Sequence, residues 1–179
     1  MSEQVGKTAP WIEQFLANHP LERLPQEARG LFESFLRHRQ GVLDYYRSFP
    51  EERIDEKIGE GNSAREDLVD VLATTTTRSR GIREGRLERW EDPVEKADLK
   101  RLSVTRLLEL LEDSTDDYYR SVEGADLARE IPLPFNKKST GLGLVQGALT
   151  EQSLHLGFAI KFGDKFGTPR PQSVRAIYG

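Results

Sequence analysis

The chain holds three histidines, His19, His38 and His155, and no cysteine. Thiolate nucleophiles, disulfides and zinc–thiolate sites are therefore excluded. His19 precedes Pro20 in a polar stretch and His38 stands between Arg37 and Arg39, so both read as surface residues. His155 differs, because Leu154 and Leu156 flank it in the middle of an apolar-periodic segment. Glu151 lies one helical turn earlier, which puts its carboxylate on the same helix face as the imidazole. A Glu-x-x-x-His pair offers one oxygen and one nitrogen to a divalent metal, half of a common zinc or iron site. The same pair also forms simple surface hydrogen bonds, the commoner arrangement. On a helical wheel His155 falls about 70° from the centre of the apolar stripe. Phe158 and Phe162 share its side, so that face is not fully solvated.

Other chemistries find no support. There is no phosphate-binding Gly-x-x-x-x-Gly-Lys-Ser/Thr or Gly-x-Gly-x-x-Gly. Gly141-Leu142-Gly143 near a helix start would suggest a phosphate turn only behind a strand, and none is expected there. No serine has a nucleophile-elbow setting, and the many carboxylate pairs give no reason to converge.

Four long segments with helical periodicity must position these residues. The first runs from about Gln26 to Phe49, with Phe32, Phe35, Leu36, Val42, Leu43, Tyr46 and Phe49 along one stripe, and stops at Pro50. A short helix around Trp11–Leu16 precedes it. The second opens at Ser63, with Glu66 completing a capping box, and carries Leu68, Val71, Leu72, Thr75 and Ile82. The third is expected as one helix from Asp92-Pro93 to Gly124, after a short connection. A loop over Ile131–Phe135 leads to Ser139 or Thr140, which caps a fourth helix ending near Gly167. Helices of roughly 25 residues are each about 37 Å long, matched for one all-α four-helix bundle with only incidental strands.

With 179 residues the chain suits a single domain, 1–179, with 1–25 as an N-terminal short helix and loop. A net charge of −4 gives no long-range attraction to phosphates, so no nucleic-acid partner is expected. The basic residues between Arg78 and Arg101 are interrupted by acidic ones and read as a solvated mixed-charge face. Met1 to Pro10 lack an apolar leader and no run approaches the roughly 18 apolar residues of a membrane helix. A cytoplasmic protein without a membrane partner is expected.

The segment Glu151-Gln152-Ser153-Leu154-His155-Leu156-Gly157 resembles the fourth-helix signature of the DinB/YfiT-like superfamily, a His or Glu, three residues, then His-x-Gly. Ser63-Ala64-Arg65-Glu66-Asp67-Leu68-Val69-Asp70 resembles its second-helix pattern Ser-x-Arg-Glu-x-Leu-x-His, and the tail at Phe166–Pro169 and Ile177–Gly179 resembles its usual ending. The fourth-helix form is most similar to the mycothiol-dependent maleylpyruvate isomerase branch. The resemblance covers about the last two-thirds of the chain and implies a four-helix bundle holding a divalent metal, such as zinc, nickel, manganese or iron. It also implies the ligands, one from the second helix and two from the fourth: Asp70, Glu151 and His155. The chain departs from the pattern at Asp70, where the family has histidine, and at Phe158, where a polar residue is common. Asp70 also lies about 160° from the apolar stripe of its helix, on the side of Thr74.

What the resemblance implies is a metal-dependent, S-transferase-like enzyme with a low-molecular-weight thiol and a small electrophilic substrate as partners. The alternative is a non-catalytic bundle, a stress-associated or interaction protein with a degenerate metal site. Leu144, Phe158, Phe162 and Phe166 widen the apolar face of the fourth helix, so either the loop and tail cover them or the chain pairs as a homodimer, which is the expected state.

Overall fold

The computed structural model describes residues 10–178; residues 1–9 of the expected N-terminal loop lie outside the described part. Its helices are α1 (Trp11–Asn18), α2 (Gln26–Ser48), α3 (Ala64–Glu84), α4 (Pro93–Leu99), α5 (Val104–Val122), α6 (Gly141–Phe166) and α7 (Gln172–Tyr178). A small antiparallel hairpin, β1 (Glu130–Leu133) with β2 (Lys137–Thr140), precedes α6, with Glu130 opposite Thr140 and Leu133 opposite Lys137. Among the described residues no helix is long and apolar enough to cross a membrane.

Cross-helix contacts fix the directions. Tyr46 meets Asp67 and Arg39 meets Thr75, so α2 and α3 are antiparallel. Arg65 donates to the Leu102 carbonyl and Ser79 to that of Asp117, so α3 and α5 run the same way. Asp67 meets His155 and Gly81 lies against Leu144, so α6 opposes α3. The bundle is therefore up-down-down-up in α2, α3, α5 and α6. Two parallel neighbours require a connection that travels back along the bundle, and residues 85–103, including α4, supply it. This corrects the expectation of a short second connection and one long third helix. Asp92 does cap a helix that begins with Pro93, but that helix ends at Leu99 and Ser103 caps α5 anew.

The capping box at α3 is present as expected, with Ser63 accepting from the Glu66 amide and Glu66 accepting from the Ser63 amide. The threonine run is helical, and Thr74, Thr75 and Thr76 each return their hydroxyl to the carbonyl one turn back, which satisfies the polar group within the helix. Strand β2 does directly precede Gly141-Leu142-Gly143, contrary to expectation. The helix-start amides there are nonetheless spent: Gly141 donates to Arg129, Leu142 to Leu127 and Gly143 to the Thr140 hydroxyl. No phosphate turn is formed.

The core divides into two apolar clusters. One gathers Val42, Tyr46, Leu68, Leu107, Leu156 and neighbours; the other gathers Phe32, Phe35, Tyr118, Val145 and neighbours. Between them every long helix contributes buried polar side chains: Arg39 from α2, Thr75 and Arg78 from α3, Ser114 and Thr115 from α5, Gln152 and His155 from α6. A polar layer thus crosses the middle of the bundle. Toward the far end α6 and α2 approach closely, and a side chain at Gly163 would run into the Tyr45 phenol. The apolar face of α6 is largely covered within the chain. Leu144 and Phe162 are buried, and Phe166 packs edge-on against Phe49, with the Arg53 guanidinium over its ring at 3.9 Å. Phe158 and Leu154 stay exposed.

Candidate functional site

His155 sits on the α6 face turned toward α3, almost completely buried. Its Nδ1 lies 2.7 Å from Oδ1 of Asp67, and the other Asp67 oxygen accepts the Tyr46 hydroxyl at 2.7 Å. A carboxylate already accepting one hydrogen bond makes Nδ1 the donor, which leaves Nε2 directed to Glu151, whose Oε2 is 3.9 Å away. Burial raises the Tyr46 phenol well above its usual range, and the Asp67 charge and hydrogen bond push it further. Tyr46 is therefore a fixed donor, and Asp67 a fixed acceptor that orients the imidazole.

Glu151, on the rim, also meets Nη2 of Arg78 at 3.4 Å. Arg78 is buried and crosses α6 over Gly147, where an added Cβ would come within 3.2 Å of its Nε; the guanidinium then faces the Trp90 ring at 5.9 Å. Burial pulls the Arg78 pKa down and Glu151 partly restores it. Deeper in the layer, Arg39 donates to the Thr75 hydroxyl at 2.6 Å and the Leu111 carbonyl at 3.3 Å, and burial pulls its pKa down to about 9. The Tyr118 phenol interacts with both guanidiniums, and burial holds its pKa above the ordinary value.

The structure brings Glu151 and His155 together, and holds Asp70 with partners of its own. Asp70 is bound by Lys96 of α4 at 2.7 Å and by the Asn62 amide at 3.0 Å. Burial works against the Lys96 charge, but its bonds to Asp70 and Glu91 more than compensate and raise its pKa. The α3 carboxylate beside His155 is Asp67, three residues before Asp70. Among the described residues no group of three His, Asp or Glu side chains converges as a metal-ligand set. Both carboxylates beside the imidazole have another protein partner, Tyr46 on Asp67 and the Arg78 cation on Glu151, and Asp70 has the Lys96 cation.

Sequence reasoning missed Asp67, Tyr46, Arg78 and Lys96. A signal for two of them was present: Asp67, Val71, Arg78 and Ile82 fall within about 60° on the α3 wheel. An acid and a base on an apolar stripe are buried, and buried charges find partners. His19 also departs from expectation. It stacks on Phe15 at 4.4 Å, accepts Tyr119 edge-on and pairs with Asp116, so it is an anchor for α1. His38 is half-buried, with Nδ1 on the Ser34 carbonyl.

No family profile matches the sequence, and no curated protein does. Among solved structures, the chain superposes on a DinB-like protein of Bacillus subtilis, YjoA, with a TM-score of 0.63. The match covers 81% of this chain and 97% of that one at 23% identity. The chain has the DinB-like fold. Glu151 and His155 stand on its fourth long helix.

Proposed function

We propose that this DinB-like bundle works without a resident metal, as a non-catalytic binding protein whose site has become an internal charge network. One observation carries the reading: cations of the chain itself occupy two of the three implied ligands, Arg78 on Glu151 and Lys96 on Asp70. A divalent ion on Glu151, about 5 Å from the Arg78 guanidinium, would be repelled by roughly 6 kcal/mol at an effective dielectric near 20. Arg78 cannot swing away cheaply, because it is buried against Gly147.

A second reading has one observation in its favour. Asp67 holds Nδ1 of His155 and leaves Nε2 facing Glu151, the way a carboxylate behind a metal-bound imidazole orients the ring. In that reading Glu151 and His155 would hold a zinc, nickel, manganese or iron ion, which when bound favours the thiolate of a small thiol for attack on an electrophile. Asp70 would join only after leaving Lys96. Elemental analysis of protein purified without a metal-affinity tag separates the two. Under the first reading the wild type carries well below one ion per chain and gains no thermal stability from added zinc or nickel. Arg78→Ala with Lys96→Ala should then acquire a zinc-dependent stabilisation. Near-stoichiometric metal in the wild type, lost in His155→Ala, overturns the first reading in favour of the second.

A further inference from the structure

We propose that the groove between α2 and the short helices α1 and α7 binds a small amphipathic carboxylate, with an apolar body and one acidic end. The groove has a volume of about 580 Å³, within the usual range of about 300–1,000 Å³ for small-molecule sites. It lies on a different face of α2 from the polar layer. Arg37, Gln40, Asp44 and Arg47 recur at three- and four-residue steps and line it, whereas Arg39 and Tyr46 point inward. Trp11, Ile12 and Ile177 supply its apolar walls.

The centre of the groove is already organised. The Gln40 amide donates to Asp44 at 2.7 Å and its oxygen accepts the Ile12 amide at 2.8 Å. Ser173 of α7 donates to the second Asp44 oxygen at 2.7 Å. These bonds tie three helices together and satisfy Asp44, the one carboxylate among the described lining residues. Two guanidiniums thus line the groove against a single acid, which accepts from Gln40 and Ser173 and lies 3.5 Å from Arg47. Ten residues apart, Arg37 and Arg47 stand about 15 Å from each other along α2, at the two ends of the groove.

Their present partners are replaceable. Arg37 pairs with Glu33 at 2.7 Å and Arg47 with Glu112, neither of which lines the groove, and Arg47 also lies 3.5 Å from Oδ1 of Asp44, which does. Exposed pairs of this kind contribute little, so a ligand carboxylate that also covers the Trp11 and Ile177 side chains can take a guanidinium over. An anion is selected over a cation by the charge excess. An amphipathic molecule is selected over a small inorganic ion by the apolar wall, and Trp11, half-buried on that wall, reports on occupancy.

The chain has two tryptophans, so Trp90→Phe in the full-length protein leaves Trp11 as the sole indole. Decanoate titrated into that variant should change Trp11 emission saturably, at one site per chain. Decanol, equally apolar but uncharged, should bind about tenfold more weakly, as should decanoate to a variant that also carries Arg37→Gln and Arg47→Gln. Both arginines are exposed, so circular dichroism of that variant should match the parent. Non-saturable quenching, equal binding of decanol, or undiminished binding by the double-Gln variant overturns the proposal. The readout is independent of metal at Glu151 and His155, so it stands or falls apart from the function proposed above.

Discussion

Arg39 is a fully buried cation with no carboxylate partner, and its replacement by methionine should stabilise the protein. A guanidinium pulled down to about 9, well below its usual range, represents on the order of 5 kcal/mol between its two protonation states. The partners it would leave behind are not orphaned. Thr75 still donates to the Val71 carbonyl, and the Leu111 carbonyl still accepts from Ser114 and Thr115. Methionine has a similar length and can lie along Phe35, over which the guanidinium now sits at 4.9 Å. Exchanging buried charges for apolar side chains has gained about 1–4 kcal/mol elsewhere. Arg39→Met should accordingly raise the melting temperature by about 2–10 °C at pH 7. The sign is testable with pH as well. The folded pKa lies below the unfolded one, so the burial penalty is complete below pH 9 and is relieved as pH rises above about 9 toward the unfolded value. The gain from the substitution should therefore be constant from pH 6 to 8 and shrink above 9. Urea denaturation at each pH measures it. A loss of more than about 1 kcal/mol at pH 7 would refute the reasoning, because it would mean that the charge is compensated in the folded state.

Asp67→Asn should destabilise the bundle by about 2–3 kcal/mol, since it weakens two buried bonds at once, and thermal unfolding tests it; an unchanged transition would show that His155 and Tyr46 find other partners. Glu66, held at about 2 by the Ser63 amide first and by Lys100 next, lends α3 stability that is complete above about pH 4.5 and lost as pH falls toward 2. Glu66→Gln should cost on the order of 1–3 kcal/mol at pH 6 and about a quarter of that at pH 2.5, and a pH-independent difference would contradict the assignment. The proposed homodimer now rests on Phe158 and Leu154, 40% and 51% exposed. Phe158→Glu should dissociate it without unfolding, whereas Phe162→Glu should unfold the chain; a wild-type sedimentation mass of 20.4 kDa refutes the pairing.

Much of the bundle was legible because helix ends carry local signals. Ser63 and Glu66, Asp92-Pro93 and Thr140 each do what their side chains dictate within one turn. The break at residues 100–103 was not legible, because Leu99, Leu102 and Leu107 continue a helical spacing straight through it. Only the parallel packing of α3 and α5 demands the interruption. Helix α7 was hidden behind Pro169 and Pro171, and strands of four residues are too short to show a period. The candidate site was half legible. Glu151 and His155 lie on one helix, and their i, i+4 spacing fixes their proximity. The α3 partner depends on how two helices are rotated against each other, which short motifs do not encode. A pattern match to histidine at Asp70 therefore named the residue one turn away from the one that meets His155.

That displacement by three residues changes the chemistry available. At Asp67 the carboxylate is buried and takes a tyrosine hydroxyl on one oxygen and an imidazole on the other. At Asp70 the carboxylate lies where α4 crosses α3, and Lys96 neutralises it there while also holding Glu91. The returning connection that lets α3 and α5 run parallel is thus the same segment that brings a cation onto the implied ligand. Arg78 does the equivalent for Glu151 from within the bundle. Recovering a cation site would require loosening both the connection and the polar layer, two independent changes, and Arg78→Ala or Lys96→Ala alone would each leave one carboxylate neutralised.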